Sequence, residues 1–274
     1  LAVHVSCNDL AANGGTPIGV QVVLLLPEHT QEEQIRQIME DIQVTAAALE
    51  VEVLGGHTEI TSKVTDCVVS VTAIGRAPKE RYVTSKGAKV GDDILITKGV
   101  GIEATVILAR DFGHLLPFEV SAQDIRCFTR YLSVVPEGLL ASEYGVHAMH
   151  DITEGGLLGA VREICQAAKV GAEIWEEDVA IPQLTRDICE HFSLDPLSLL
   201  SSGSMLIVTP SGEGLVKELR KAEIPAYVVG TITEGDHPVL IRKTGERQAI
   251  VAHVEDELWR FFSENPKDIT EPES

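Results

Sequence analysis

Apolar residues recur along this chain with two periods, one typical of amphipathic helices and one typical of strands. Between residues 31 and 50 they return every three or four positions, which predicts a long helix with one buried side. Nearly continuous apolar runs predict buried strands. The first part of the chain therefore has the order strand, helix, strand, strand, which makes a sheet with a helix over one face. The predicted elements here are a short helix over 7–15, strands over 20–26, 51–54 and 67–74, and the helix over 31–50.

Residues 76–93 differ from their surroundings because they are polar and contain Pro78, Gly87 and Gly91. Such a stretch is typical of a domain junction. Strand and helix patterns resume after it. The predicted elements of this second part are strands over 94–97, 145–149, 172–175, 205–208 and 226–232, helices over 102–109, 122–132, 137–144, 157–168, 183–192 and 212–222, and a hairpin over 239–242 and 248–252.

These patterns predict an α+β protein with two domains. The last residues are rich in Pro, Glu and Asp, a composition that cannot bury a core. We therefore expect a mobile end to the chain. The predicted divisions are an N-terminal domain over 1–85, a C-terminal domain over 86–262 and a mobile tail over 263–274.

The stretch at 149–168 has an unusual local pattern. A short extended run leads into Asp151 and Thr153, and Gly155 and Gly156 then open a helix with one apolar side. A strand that turns into a helix on glycines leaves backbone N–H groups free to bind a phosphate. The same residues also fit a simple helix cap and turn. Both interpretations stay open from this stretch alone.

Two other segments share this composition, with acidic or histidine residues beside glycines. One contains Asp9 and the other runs from Gly55 to Glu59. Carboxylates gathered at glycine-rich turns suit Mg²⁺ bound to a nucleotide, because Mg²⁺ prefers oxygen ligands. The chain has no GxxxxGK[ST] and no GxGxxG segment, so we do not expect a P-loop or a Rossmann site.

Charge and cysteine content exclude several classes of protein. The net charge of −20 argues against nucleic-acid binding, which needs clustered Lys and Arg. No apolar run is long enough for a membrane span. The five cysteines form no CxxC pair and indicate reduced thiols, so we expect a cytoplasmic protein. The chain opens on Leu1 in the middle of a pattern, and we expect a further N-terminal segment before it.

Four motifs, occurring in order along most of the chain, resemble those of the aminoimidazole ribonucleotide synthetase (AIR synthase-related) superfamily. This superfamily includes thiamine-monophosphate kinase, selenophosphate synthetase and the hydrogenase-maturation dehydratase, and the similarity is greatest to the hydrogenase-maturation branch. The motifs are Asn8-Asp9-Leu10-Ala11, Gly55-Gly56-x-Thr58, Gly91-Asp92 and His150-Asp151-x-Thr153-x-Gly155-Gly156-Leu157.

The resemblance implies a PurM-like architecture of two α+β domains, the first of which binds ATP and forms a homodimer. ATP and Mg²⁺ would lie between the domains. The chemistry implied is transfer of the γ-phosphoryl group to an amide-like or other oxygen of a small molecule, which turns that oxygen into a leaving group. The implied roles are catalytic for His150, Asp151 and Thr153, cofactor binding for Asn8, Asp9, Gly55, Gly56, Thr58, Gly155 and Gly156, and metal binding for Asp9, His57, Glu59 and Asp151.

The chain also departs from the family pattern. His57 stands where the family has an acidic metal ligand, and a neutral imidazole favours softer metals than Mg²⁺. Glu59 could take its place. No cysteine follows Cys189, so we do not expect the thiocyanate-forming chemistry of the hydrogenase-maturation branch. Two alternatives remain: an inactive paralogue that acts as a nucleotide-sensing or partner-binding dimer, and a transition-metal site on Asp9, His57 and Asp151.

Overall fold

The computed structural model describes residues 1–250 and 253–265 and contains two sheets. The first sheet has three strands in the order β2-β1-β3 and carries two helices. Its elements are α1 (Ala2–Ala11), β1 (Thr16–Leu26), α2 (Glu32–Ala48), β2 (Glu52–Ile60) and β3 (Val68–Arg76).

Strand β1 organises this sheet because it pairs in parallel with β2 and antiparallel with β3. Its side chains alternate between two faces. Val20, Val22 and Leu24 are buried on the face where α1 and α2 pack. The predicted layer of helix on sheet is therefore present.

The other face of the first sheet is open and apolar. Val23, Val68 and Ile74 project from it and are 36%, 44% and 44% exposed. Exposed apolar side chains on an open sheet face, here interspersed with polar ones such as Ser70 and His57, can mark an interaction site.

The second sheet has seven strands in the order β10-β9-β6-β8-β4-β7-β5. Ile94 and Ile96 pack with the core under α6, whereas Leu95 packs with the core under α5 and α8. Helices therefore cover both faces. The elements are β4 (Asp93–Thr97), α3 (Ile102–Asp111), α4 (Ala122–Arg130), α5 (Val135–Tyr144), β5 (Ala148–Ile152), α6 (Gly156–Ala168), β6 (Gly171–Trp175), α7 (Gln183–Phe192), β7 (Ser204–Thr209), α8 (Gly212–Lys221), β8 (Ala226–Thr233), β9 (Pro238–Ile241), β10 (Arg247–Ala249) and α9 (Glu257–Glu264).

Several predicted boundaries were wrong. Strand β2 does not stop at Gly55 but continues to Ile60, because β1 pairs with it along that length. The extended run predicted over 145–149 begins later, since Gly145 ends α5 with a φ of 89°. Helix α9 extends into the segment predicted as a tail. Residues 251–252 of the predicted hairpin and 266–274 of the tail lie outside the described part. No helix in the described part is long and apolar enough to cross a membrane.

A buried ion pair fixes the end of β4. The Lys98 ammonium lies 2.7 Å from the Glu137 carboxylate, and the two side chains are only 5% and 1% exposed. Lys98 also donates to the carbonyl oxygens of Tyr131 and Ser133, at 2.9 and 2.6 Å. Burial lowers the pKa of Lys98, and Glu137 opposes that shift. The pair therefore keeps a charged lysine inside the protein.

We expect Glu137→Gln to reduce the free energy of unfolding by about 3–5 kcal/mol, because it leaves the buried Lys98 charge without its partner. Urea denaturation would measure the change. The matched control is Glu143→Gln, which removes the surface pair with Arg81, with side chains 66% and 49% exposed. It should cost less than about 1 kcal/mol. An equal decrease in the free energy of unfolding in the two variants would contradict the stabilising role of the buried pair.

Candidate functional site

Two carboxylates from different parts of the chain lie together. Asp151 stands near the end of β5 and is 6% exposed, whereas Asp9, in the last turn of α1, is more accessible. Burial raises the pKa of Asp151, and the nearby negative charge of Asp9 raises it further. The Oδ2 atom of Asp151 is buried and has no hydrogen-bond partner. An unpaired buried carboxylate oxygen beside a second carboxylate is a strong site for a cation.

His150 lies next to this pair and contacts two hydrogen-bond acceptors. Its Nδ1 lies 2.7 Å from the carbonyl oxygen of Asp151, and its Nε2 lies 2.5 Å from the Glu163 carboxylate. Only the imidazolium form can donate to both acceptors. The charge of His150 lowers the pKa of Asp9 and of Asp151, against the larger effect of burial.

The predicted metal ligands do not all meet within one chain. In the described residues, no three His, Cys, Asp or Glu side chains form a group that could hold a metal ion. Two carboxylates nevertheless fit Mg²⁺, which completes its octahedron with water and substrate phosphates. The carboxylates of Asp9 and Asp151 therefore suit a cation that is also bound to a phosphate. They do not suit the transition-metal alternative.

His57 and Glu59 are separated from Asp9 by strand geometry. They pair with Val23 and Leu25 of β1, so all four side chains project from the open face of the sheet. Helix α1, which carries Asp9, packs on the opposite face. His57 and Glu59 contact each other at 3.3 Å and remain 64% and 56% exposed.

The predicted nucleotide loop is part of a strand. Gly56 and Thr58 face α2 and, with Gly55, line a groove of about 250 Å³ that also contacts Met39 and Ile42. A Cβ atom at Gly56 would lie 1.7 Å from the carbonyl oxygen of Val22. Glycine is therefore required here for the close approach of β1 and β2.

The backbone N–H groups of Gly155 and Gly156, at the start of α6, already have partners inside the protein. The Asp256 carboxylate accepts from the backbone N–H groups of Gly155, Leu200 and Leu258, at 2.7, 3.3 and 2.8 Å. The N–H of Gly156 donates to the Thr153 carbonyl at 3.1 Å. The expected phosphate donors at Gly155 and Gly156 are thus used inside the protein. The side chain of Asp256 takes the place that we predicted for a phosphate.

Asn8 has a structural role. Its side-chain amide donates to the carbonyl oxygen of Leu132 and accepts from the N–H of Val134, both at 2.8 Å, and it is 0% exposed. Both polar atoms are satisfied, so the side chain is not available to a nucleotide. It fixes α1, and with it Asp9, against the second half of the chain. No local pattern along the chain indicates this contact or the role of Asp256.

Comparison with known families agrees with this architecture. The AIR synthase related protein N-terminal domain matches residues 1–77, and the C-terminal domain matches residues 89–243. The chain belongs to the AIR synthase-related family. The predicted two-domain α+β fold of this family is confirmed, and so is the closeness to its hydrogenase-maturation branch.

Proteins similar in sequence to this chain include carbamoyl dehydratase HypE. The Azotobacter vinelandii protein is 26% identical over 243 residues, which cover 86% of this chain and 70% of the relative. The Escherichia coli K12 protein is 24% identical over 209 residues, covering 76% and 60%.

Solved structures share the fold. Hydrogenase maturation protein HypE in complex with ATP has a TM-score of 0.82 and 22% identity, covering 95% of this chain and 80% of that one. Thiamine monophosphate kinase from Aquifex aeolicus has a TM-score of 0.70 and 20% identity, covering 89% and 80%.

We expect Asp256→Ala to lower the free energy of unfolding by about 3 kcal/mol, because three backbone N–H groups lose a charged acceptor. Amide hydrogen exchange at Gly155 should accelerate in the same variant. The control is Asp236→Ala, whose side chain is 80% exposed. Unchanged exchange at Gly155 would show that the cap does not hold the start of α6.

Proposed function

We propose that the protein is an ATP- and Mg²⁺-dependent enzyme that transfers a γ-phosphoryl group to an oxygen atom of a small molecule. The observation that carries this proposal is the pair Asp9 and Asp151, with its buried unpaired oxygen. Such a pair attracts a hard divalent cation, and that cation in turn attracts phosphates.

The roles of the side chains follow from their positions. Asp9 and Asp151 would hold Mg²⁺, which when bound neutralises charge on the transferred phosphoryl group. His150 orients the backbone of Asp151 through the 2.7 Å contact and balances the negative charge. Little covalent work is required of the protein, because phosphoryl transfer depends mainly on positioning and charge. Thr153, directly after β5, would contact the reacting groups.

The relatives support an oxygen of the amide type as the acceptor. HypE carries the name carbamoyl dehydratase, and one HypE structure contains ATP. Activation of an amide oxygen by phosphorylation is a step that dehydration of a carbamoyl group would use. The acceptor in this protein is a small molecule of that chemical type.

A second candidate is a nucleotide-binding dimer without turnover. The observation that favours it is His57, which occupies an expected acidic position and faces away from Asp9 in the same chain. In this alternative the Asp9 and Asp151 pair binds the nucleotide complex, but the γ-phosphate is not transferred. Binding and turnover must therefore be measured separately.

We also propose that the open face of the first sheet forms a homodimer. Val23, Val68 and Ile74 are exposed there, and a second copy of the same face would bury them. His57 and Glu59 project from this same face, so dimer formation would also bring them close to the partner. The interface and the groove beside Gly56 share strand β2.

Calorimetry with ATP and Mg²⁺ should detect one site per chain, and both Asp9→Asn and Asp151→Asn should weaken binding at least about tenfold, because each removes a charged ligand. Asp236→Asn is the matched control and should bind normally. Retention of full affinity in both site variants would overturn the proposed site. ADP formation with added carbamoyl or amide compounds separates the enzyme from the non-catalytic alternative, which would bind without turnover.

Sedimentation should show a dimer that Val23→Lys converts to a monomer, because a charge would be buried at the centre of the open face. Val90→Lys is the control, since Val90 is 54% exposed and lies outside that face. A monomeric parent protein, or dissociation by both variants alike, would contradict the interface.

A further inference from the structure

A second cavity lies at the end of the first sheet, where α1, β3 and the domain junction meet. Its volume is about 500 Å³, within the range of small-molecule sites. It is distinct from the groove beside Gly56, which opens onto α2. The residues that line it are Leu10, Asn13, Gly15, Gly75, Arg76, Ala77, Lys79 and Tyr82.

Two cations of this cavity have no counter-ion. Across the described residues, neither Arg76 nor Lys79 takes part in an ion pair, whereas the neighbouring Arg81 is paired with Glu143 at 2.5 Å. The chain as a whole carries a net charge of −20. Two unpaired cations in one cavity of such an acidic protein form a local positive field that attracts anions.

The Tyr82 ring lines the cavity, and the backbone on both sides of it is anchored. Tyr82 is 60% exposed, although both residues that flank it are anchored. The carbonyl oxygen of Arg81 accepts from the Ser142 hydroxyl at 2.7 Å, and the N–H of Val83 donates to the Asn13 carbonyl at 3.2 Å. The ring is therefore presented to the cavity by a fixed backbone, without being buried itself.

Another part of the cavity lining depends on small residues. A Cβ atom at Gly75 would lie 2.6 Å from the carbonyl oxygen of Thr16 and 2.9 Å from the Leu10 side chain. Glycine at this position lets Leu10 pack directly against the strand. Leu10 and Gly15 then leave an apolar surface, onto which a flat group can pack.

We propose that this cavity binds a small molecule that combines a planar ring with a phosphate or carboxylate group. The ring packs between Tyr82 and Leu10, and the anionic group pairs with Arg76 and Lys79. Arg76 can form two parallel hydrogen bonds to either kind of anion. This site is independent of the proposed ATP site, because it uses neither Asp9 nor Asp151 and needs no divalent cation.

Calorimetry and saturation-transfer NMR in EDTA would test the site, since chelation removes any cation-dependent binding at Asp9 and Asp151. The probes are phenyl phosphate, benzoate, cyclohexyl phosphate and inorganic phosphate. We expect phenyl phosphate or benzoate to bind at millimolar or lower concentration, with the flat ring favoured over the cyclohexyl ring. Comparison of the two aromatic probes identifies the preferred anion.

Four variants distinguish this site from general charge attraction. Arg76→Gln and Lys79→Gln should each weaken binding about tenfold, and Tyr82→Ala should abolish the preference for the flat ring, whereas Tyr82→Phe should retain it. Lys86→Gln removes a nearby exposed charge outside the cavity and should have no effect. Three results would each overturn the proposal. These are absence of binding for every probe, an equal loss of affinity in Lys86→Gln, and an unchanged preference for the flat ring in Tyr82→Ala.

Discussion

The contact on which the candidate site depends is the buried amide of Asn8. This side chain satisfies one carbonyl and one N–H of the segment from Leu132 to Val134, so helix α1 of the first half is held against the second half. Breaking such a contact would leave buried backbone groups without partners, which costs more than the hydrogen bonds themselves contribute. Asp9 is the next residue along the helix. The uncharged side chain of Asn8 therefore fixes the position of Asp9 beside Asp151.

That arrangement brings together charges that repel each other. Burial and the proximity of Asp9 both raise the pKa of Asp151, and His150 only partly compensates. Protein folding does not favour a half-buried pair of carboxylates without a ligand. Burying like charges together in this way is typical of functional sites, where a bound cation neutralises them. The unpaired Oδ2 of Asp151 would be available to such a cation.

Local patterns predicted most helices and strands, because apolar periodicity reflects which side of an element is buried. Helix α7 has the predicted bounds, and the helical pattern starting at Leu157 corresponds to α6. Contacts between distant segments could not be predicted. The carboxylate of Asp256 reaches Gly155 across 101 positions, and the face on which His57 lies depends on its register with Val23. No local property of the sequence encodes either fact.

The hydrogen bond between Asp256 and Gly155 at the start of α6 limits how this protein could bind a nucleotide. A helix N-terminus normally offers N–H groups to a phosphate, but here Asp256 already accepts from Gly155. The two carboxylates of the candidate site, Asp9 and Asp151, are acidic and repel phosphates. A cation that both carboxylates can share would let a phosphate approach them. A divalent cation would then be needed for a phosphate to bind beside this pair, whether or not the phosphoryl group were transferred afterwards.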